Sequence, residues 1–154
     1  MDKSSVFSEL MDEVLKALGK YGSDEQVIEE VARILQEEVA YYDWVGFYLA
    51  EQEDGELVLG PFVGEETDHT RIEYGEGICG QSADTGETFT VQNVEEEENY
   101  LSCSPDVKSE IVVPIFRAGE FKGEIDIDSH ELAAFGPEDK KFLESLAAEL
   151  APLF

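Results

Sequence analysis

The amino-acid sequence predicts an α+β domain in which helices from both ends of the chain pack on a mainly antiparallel sheet of about six strands. Three observations carry this prediction. Apolar residues recur at helical intervals over 1–40 and again after Pro137, whereas β-branched and aromatic runs fill the middle of the chain. These runs mostly follow one another directly, which favours antiparallel pairing over a parallel, doubly wound sheet.

The chain is predicted to form one domain over residues 1–154, with a helical segment over 1–40 and the remaining elements over 41–154. A chain of this length buries roughly two thirds of its unfolded surface, which suffices for one core. Apolar residues make up 42% of the composition, so a disordered chain is excluded.

Two helices are predicted in the N-terminal segment. The first has one apolar stripe that ends before Gly19, and the second begins after Ser23, where Gln26 has the spacing of a capping box. The final helix is predicted to begin at Pro137, because proline suits the first helical position and acidic residues follow it.

The middle of the chain predicts strands and one long loop. A glycine-dense segment at 75–80 indicates a tight turn into a short helix that ends near Gly86. Residues 92–109 show neither helical nor strand periodicity and predict a long irregular loop, as in lids and binding loops. Strands are predicted at 43–49, at 56–62, near 71–72, at 89–91, at 110–116 and at 121–128. The last two flank Ala118 and Gly119 and are predicted to form a β-hairpin.

The charge of the chain is strongly negative. Asp and Glu number 37 against 10 Lys and Arg, so the formal net charge is −27. Such a charge argues against nucleic acid and anionic membranes as partners, because both repel an acidic surface. Self-repulsion of this size is best tolerated where salt screens it, and we expect a halophilic setting, a salt-rich cytoplasm.

The absence of targeting signals and the low cysteine content both favour a cytoplasmic location. No run approaches the roughly 20 apolar residues of a membrane span, and the N-terminus lacks a signal-peptide core, so we expect a cytoplasmic protein. Cys79 and Cys103 are the only cysteines. They form neither a disulfide framework of the secreted kind nor a zinc-binding pattern, and no metal site is predicted; His69 and His130 have no ligand spacing.

The two cysteines differ in their surroundings. Cys103 lies in the polar segment Leu101–Asp106, and such a loop suits a reactive thiol, although a lone intracellular cysteine is more often a small buried hydrophobe. Cys79 lies between an isoleucine and a glycine at the predicted start of the short helix, where backbone amides favour a thiolate but ordinary core packing is the better interpretation.

Acidic residues alternate along the last predicted strand. Glu124, Asp126 and Asp128 share one face, opposite Phe121, Ile125 and Ile127. A solvated sheet face would explain them, but helices from both ends of the chain favour coverage of both faces. Enclosed carboxylates would raise one another's pKa, so that one of them could act as an acid near neutral pH.

Trp44 and Tyr48 lie four residues apart on the first predicted strand and therefore share a face. The two side chains could form an apolar wall of a small-ligand pocket, but their spacing is equally well explained by ordinary packing in the core.

Five segments occur in a fixed order from about Tyr42 to the final helix. They are 43–48 (DWVGFY), 57–62 (LVLGPF), 75–80 (GEGICG), Cys103 with 109–114 (SEIVVP), and 123–129 (GEIDIDS). Together, and with similar gaps, they resemble the free methionine-(R)-sulfoxide reductases. The resemblance implies a GAF fold and the reduction of free L-methionine (R)-sulfoxide.

The same resemblance implies roles for particular residues. Cys103 corresponds to the catalytic cysteine, whose thiolate attacks the sulfoxide sulfur and becomes a sulfenic acid. Glu110, Asp126 and Asp128 correspond to pocket carboxylates that bind the substrate's amino group and protonate the departing oxygen.

Trp44 and Tyr48 correspond to residues that enclose the methyl and sulfur end of the substrate. The resemblance implies no bound cofactor.

One position departs from the pattern of the main branch of this family. Those members carry a resolving cysteine ten positions before the Gly-x-Cys-Gly cysteine, and His69 stands there in this chain. The chain thus resembles a variant branch, in which either Cys79 or an external thiol, small or thioredoxin-like, would regenerate Cys103.

Two other functions are compatible with the sequence. One is a non-catalytic GAF module that binds a small ligand and reports it to a partner. The other is a structural homodimer, because the apolar stripes of the terminal helices would serve an interface as well as a sheet.

Overall fold

The computed structural model of the chain describes residues 2–20, 22–51, 53–101 and 104–154. The helices and strands follow in the order α1 (Lys3–Leu18), α2 (Asp24–Glu38), β1 (Trp44–Glu51), β2 (Glu56–Val63), β3 (Arg71–Glu73), α3 (Gly77–Thr85), β4 (Phe89–Val91), β5 (Ser109–Arg117), β6 (Glu120–Ser129) and α4 (Pro137–Leu150). Short 3-10 turns lie at Val94–Glu96 and Ala151–Leu153.

The six strands form one sheet in the order β3-β2-β1-β6-β5-β4, and every neighbouring pair is antiparallel. The predicted antiparallel sheet with flanking helices is therefore confirmed. Strands β1, β6 and β5 occupy the centre, so their side chains are covered on both faces.

Helices α1, α2 and α4 begin where the sequence supplies a capping side chain. Asp2 accepts a hydrogen bond from Ser5 N at 2.8 Å, and Ser23 Oγ accepts one from Gln26 N at 3.3 Å. At α4, Asp139 accepts from Gly136 N at 3.0 Å. These contacts satisfy amide groups that have no partner within their own helix.

The larger core lies on one face of the sheet, beneath α1, α2 and α4. Its sheet residues alternate along the central strands, for example Val45 and Phe47 on β1 and Ile125 and Ile127 on β6. This is the apolar face that the alternation in 121–128 predicted.

The opposite face carries a second core under α3 and the segment before β5. Its buried members include Trp44 and Tyr48 from β1 and Ile78 and Cys79 from α3. Because α3 and this segment cover the face, polar residues on it are shielded from solvent.

The β5–β6 hairpin matches its predicted turn. Ala118 and Gly119 have φ values of 52° and 81°, as a type I′ turn requires, and Arg117 pairs with Glu120 across it. The register shifts between Ile115 and Phe116, which pair with Gly123 and Phe121, so Lys122 of β6 is the extra residue.

The structure differs from prediction in two local respects. Residues 92–109 contain a 3-10 turn at Val94–Glu96 rather than wholly irregular chain. Phe121 was expected on the face of Ile125, yet it packs edge-on against Tyr74 at 5.9 Å, with the second core. The irregularity after Ile115 changes the register at this end of the hairpin, so simple alternation fails there.

The length and composition of the helices bear on whether any of them could span a membrane. Among the described residues, every helix is too short or too polar to cross a lipid bilayer.

Candidate active site

Four carboxylic acids from β5 and β6 meet on the face covered by α3, and we call them the acidic cluster. Glu124, Asp126 and Asp128 alternate along β6, and Glu110 of β5 pairs directly with Asp128. Their exposed fractions are 0%, 1% and 2% for the three β6 acids and 5% for Glu110. The acids are therefore enclosed, not part of a solvated sheet face.

Two small cavities open onto the cluster. The first, of about 10 Å³, has room for about one water-sized sphere. It is lined by Tyr48, His69, Ile72, Gly77, Ile78, Cys79, Leu101, Glu110 and Asp126.

The second cavity, of about 40 Å³, lies beside Asp128. It is lined by Asp43, Trp44, Glu65, Glu66, Ser104, Val107, Asp128 and His130. Neither space holds an amino acid without movement of its walls.

The aromatic residues expected to form a wall do border these cavities. Tyr48 lines the first, and its hydroxyl donates to the His69 carbonyl oxygen at 2.9 Å. Trp44 lines the second, and its indole N–H donates to the Glu65 carbonyl oxygen at 2.9 Å. Each aromatic ring is thus fixed by a hydrogen bond at its polar edge.

Gly46 allows the indole of Trp44 to lie against the strand. A Cβ at Gly46 would lie 2.3 Å from Cη2 of Trp44, a steric clash well inside van der Waals contact. The indole stacks on Phe62 at 5.5 Å between ring centroids. A side chain at Gly46 would therefore displace the wall of the second cavity.

The carboxyl groups of β6 are incompletely paired. Both oxygens of Glu124, Oδ1 of Asp126 and Oδ1 of Asp128 have no hydrogen-bond partner among the described residues. Glu110 hydrogen-bonds to Asp126 and to Asp128, and such a contact between two carboxyl groups requires a proton. The cluster thus combines shared protons with oxygen atoms available to a ligand.

Burial is the main influence on these acids. Loss of solvation raises the pKa of Glu124 and of Asp128 well above the usual range, and the charge of Asp126 adds to both shifts. Burial also raises the pKa of Asp126, against the smaller lowering effect of hydrogen bonds from Glu110 and Cys79. Protonated carboxyl groups, able to donate, are therefore favoured in the cluster.

Cys79 lies at the start of α3 and faces the acidic cluster. Its side chain is buried, and burial followed by the charges of Asp126, Glu124 and Glu110 raises the pKa of its thiol well above normal. The helix start does not produce a thiolate here, because these effects oppose it. Core packing, the interpretation favoured by the sequence, accounts for Cys79 as a thiol.

The segment before β5 is attached to α3 through Asn99. The Asn99 side chain accepts from Gly77 N at 2.8 Å and donates to the Gly75 carbonyl oxygen at 2.7 Å, while Gln81 Nε2 donates to the Asn99 carbonyl oxygen at 3.0 Å. Leu101, which follows, covers the first cavity. These bonds hold this side of the cavity closed.

The structure brings together most of the residues that the sequence selected. Their positions on one face are established for Trp44, Tyr48, Cys79, Glu110, Asp126 and Asp128. The predicted catalytic residue Cys103 lies outside the described residues. Its described neighbours Leu101 and Ser104 line the first and second cavities respectively.

Two residues at the site had no role assigned from the sequence. Glu124, a member of the acidic cluster, shares the alternating face of Asp126 and Asp128, and that alternation is the signal that could have added it. His69 lines the first cavity; the sequence marked it only as the residue at the position of the resolving cysteine, and its place here depends on the chain path between β2 and β3.

Comparison with known proteins places this geometry in a family. Residues 22–154 match the GAF domain family. The free methionine-R-sulfoxide reductase of Neisseria meningitidis, solved in complex with its substrate, is 35% identical with a TM-score of 0.94, and the match covers 100% of this chain and 91% of that chain.

Two further similar proteins carry the same name. The type II free methionine-R-sulfoxide reductase of Thermoplasma acidophilum is 42% identical with a TM-score of 0.81, over 84% of this chain and 91% of that chain. A free methionine-R-sulfoxide reductase of Escherichia coli is 30% identical over 150 residues, 97% of this chain and 89% of the relative. The expected GAF fold is confirmed, and the chain belongs to the GAF domain family, in the group that contains the free methionine-R-sulfoxide reductases.

Proposed function

We propose that this protein is an oxidoreductase that reduces free methionine (R)-sulfoxide to methionine, with Cys103 as the nucleophile. One observation carries the proposal: a buried acidic cluster with unpaired oxygens borders two cavities, one lined in part by Tyr48 and the other by Trp44. The relatives named as free methionine-R-sulfoxide reductases support the same activity.

The cluster suits the amino group of a free amino acid. Carboxylates at Glu110, Asp126 and Asp128 offer charge-assisted hydrogen bonds to an ammonium group. Within the described residues, neither cavity is lined by a lysine or arginine that would compete for these oxygens. A residue inside a peptide lacks this ammonium group, so the arrangement favours the free amino acid.

The aromatic walls suit the other end of the substrate. Trp44 and Tyr48 present apolar ring surface beside the acids, which fits a methyl group bonded to sulfur. A protonated carboxyl group of the cluster would donate to the sulfoxide oxygen and favour cleavage of the S–O bond.

In the chemical step the substrate sulfoxide is reduced and Cys103 is oxidised. The Cys103 thiolate attacks the sulfoxide sulfur and forms an S–S bond, while the sulfoxide oxygen takes up two protons, one of them from the cluster, and leaves as water. Water then attacks the Cys103 sulfur, the S–S bond breaks, methionine leaves and one proton returns. Cys103 supplies the two electrons that reduce the sulfoxide and becomes a sulfenic acid.

An external thiol would complete the cycle. A first thiol condenses with the sulfenic acid, releasing water and forming a mixed disulfide, and a second thiol displaces Cys103 from it. Burial and the high pKa of Cys79 favour an external donor, small or thioredoxin-like, over Cys79. We propose a cytoplasmic location, which would supply such thiols, and the chemistry needs no bound cofactor.

Substrate entry requires movement of the walls, since the cavities measure about 10 and 40 Å³. The segment held by Asn99 is the part we propose to move, because a few hydrogen bonds to α3 fasten it.

The direct test is incubation of the purified protein with free racemic methionine sulfoxide and dithiothreitol. We expect loss of the (R) form alone, no loss with peptide-bound sulfoxide, and no activity in Cys103→Ser. Binding of methionine sulfoxide without turnover would contradict the enzyme proposal and favour the ligand-binding module.

A further inference from the structure

Three donor atoms of different chemistry converge at the first cavity. The thiol sulfur of Cys79 and carboxylate oxygens of Glu110 and Asp126 all lie within 4.8 Å of one another, and all three residues are buried. They come from α3, β5 and β6, so their spacing in the sequence gives no indication of a shared site.

Unpaired acceptors face the same place. Oδ1 of Asp126, which is 1% exposed, has no hydrogen-bond partner within the described ranges. The carboxyl group of Glu124, which is fully buried, lies beside the Cys79 thiol. A buried polar atom without a hydrogen-bond partner destabilises the folded protein. A ligand that interacts with these oxygens removes this cost, so its binding free energy is more favourable at this position. Such a ligand is most simply a cation, since the lining of the cavity contains acids and no lysine or arginine among the described residues.

The size of the cavity limits what fits without rearrangement. About 10 Å³ admits a single ion and excludes an amino acid. Zinc bonds of about 2.3 Å to sulfur and about 2.0–2.2 Å to oxygen place tetrahedral ligands about 3.5 Å apart, so each donor must move by less than about 1 Å.

We propose that Cys79, Glu110 and Asp126 form a binding site for a thiophilic divalent cation of the Zn²⁺ class. The mixed sulfur and oxygen donors favour Zn²⁺ or Cd²⁺ over the hard cations Mg²⁺ and Ca²⁺, which take oxygen ligands. Binding replaces the proton on the Cys79 thiol and the proton shared by Glu110 and Asp126, and both protons pass to solvent. A fourth coordination position is left, which Glu124 or water can fill.

The test uses the full chain with Cys103→Ser, so that Cys79 is the only remaining cysteine in the protein. Cd²⁺ is titrated into the reduced variant in the presence of excess Mg²⁺, which occupies surface carboxylates. We expect an ultraviolet thiolate-to-cadmium charge-transfer band that saturates at about one Cd²⁺ per chain, and Zn²⁺ should displace it. Absence of the band overturns the proposal without any substitution in the core.

A second variant tests the carboxylate ligands. Adding Asp126→Asn to Cys103→Ser should weaken Cd²⁺ binding by at least ~10-fold. Adding Glu13→Gln, an exposed acid on α1, should leave the affinity unchanged. Equal weakening by both changes would indicate general attraction to an acidic surface and contradict the site. Because binding is read directly, the result does not depend on reductase activity.

Discussion

Glu110 and Asp128 face each other across the β5–β6 pair, and both side chains are buried. Glu110 hydrogen-bonds to Asp128 and to Asp126, so the hairpin holds three acids in one proton-sharing group. A tight type I′ turn fixes the register that makes this pairing possible. The acidic cluster is therefore a direct product of hairpin geometry.

Substitution of a paired acid should impair turnover. Asp128→Asn replaces a proton-sharing carboxyl group by an amide that neither takes up nor releases a proton, while preserving shape, so kcat/KM for free methionine (R)-sulfoxide should fall by about 10²-fold or more. Steady-state assays with dithiothreitol measure the change.

The matched control is Asp106→Asn, an exposed acid in the segment before β5. It should retain full activity. A similar loss in both variants would indicate that net charge, rather than the cluster, supports catalysis.

The fate of Cys103 after one turnover should reveal how it is recycled. Reaction with substrate in the absence of reductant should leave a sulfenic acid that dimedone traps on Cys103, because Cys79 is buried and its pKa is raised. Peptide mass spectrometry locates the adduct and the remaining free thiol. A disulfide-linked pair of peptides containing Cys79 and Cys103 would instead assign the resolving role to Cys79.

Glu124 should make stability depend on pH. Its pKa is raised by burial and by Asp126, so above about pH 4 the unfolded chain releases a proton that the folded chain retains. The folded state therefore loses stability as pH rises from the unfolded pKa toward the folded one. Glu124→Gln cannot ionise, and its melting temperature should exceed that of the unsubstituted protein by a few degrees at pH 8.

At pH 5 the same comparison should give a much smaller difference. Scanning calorimetry at both pH values provides the measurement. A constant difference between pH 5 and pH 8 would show that Glu124 ionises normally in the folded protein.

A partly buried ion pair outside the site should contribute to global stability. Asp139 accepts hydrogen bonds from Lys3 Nζ at 2.7 Å, Tyr41 OH at 2.7 Å and Tyr42 OH at 2.8 Å, and its side chain is fully buried. Asp139→Asn leaves the Lys3 ammonium without its charged partner and should lower the free energy of unfolding by about 2–4 kcal/mol.

Urea denaturation measures this loss. Glu138→Gln, at the exposed neighbouring position, should change the unfolding free energy by less than about 0.5 kcal/mol. Similar effects of the two substitutions would assign the loss to charge at the start of α4 in general.

Salt should stabilise the chain, because its formal charge is −27. Raising KCl from millimolar to molar concentration shortens the Debye length to about 3 Å and screens repulsion between surface acids. The melting temperature should rise with KCl more than with an uncharged solute of equal osmolarity. No difference between the two solutes would contradict the halophilic setting that we expect.

The sequence by itself determined the order of elements and the faces of the strands. Alternation in 121–128 placed Asp126 and Asp128 together, and the glycine after Ala118 indicated the hairpin. These features are local, because the two-residue period of a strand and the φ preference of a glycine act within a few positions. Local reasoning failed where an irregularity after Ile115 changed the register and moved Phe121 to the other face, and it missed the 3-10 turn at Val94–Glu96.

The tertiary structure decided which of these residues are enclosed. Glu124, Asp126 and Asp128 would be a solvated face if α3 and the segment held by Asn99 did not cover them. The approach of Cys79 to the acidic cluster likewise depends on packing between elements distant in sequence. Burial, proton sharing and the convergence of donor atoms arise from these long-range contacts, so no local pattern could have specified them.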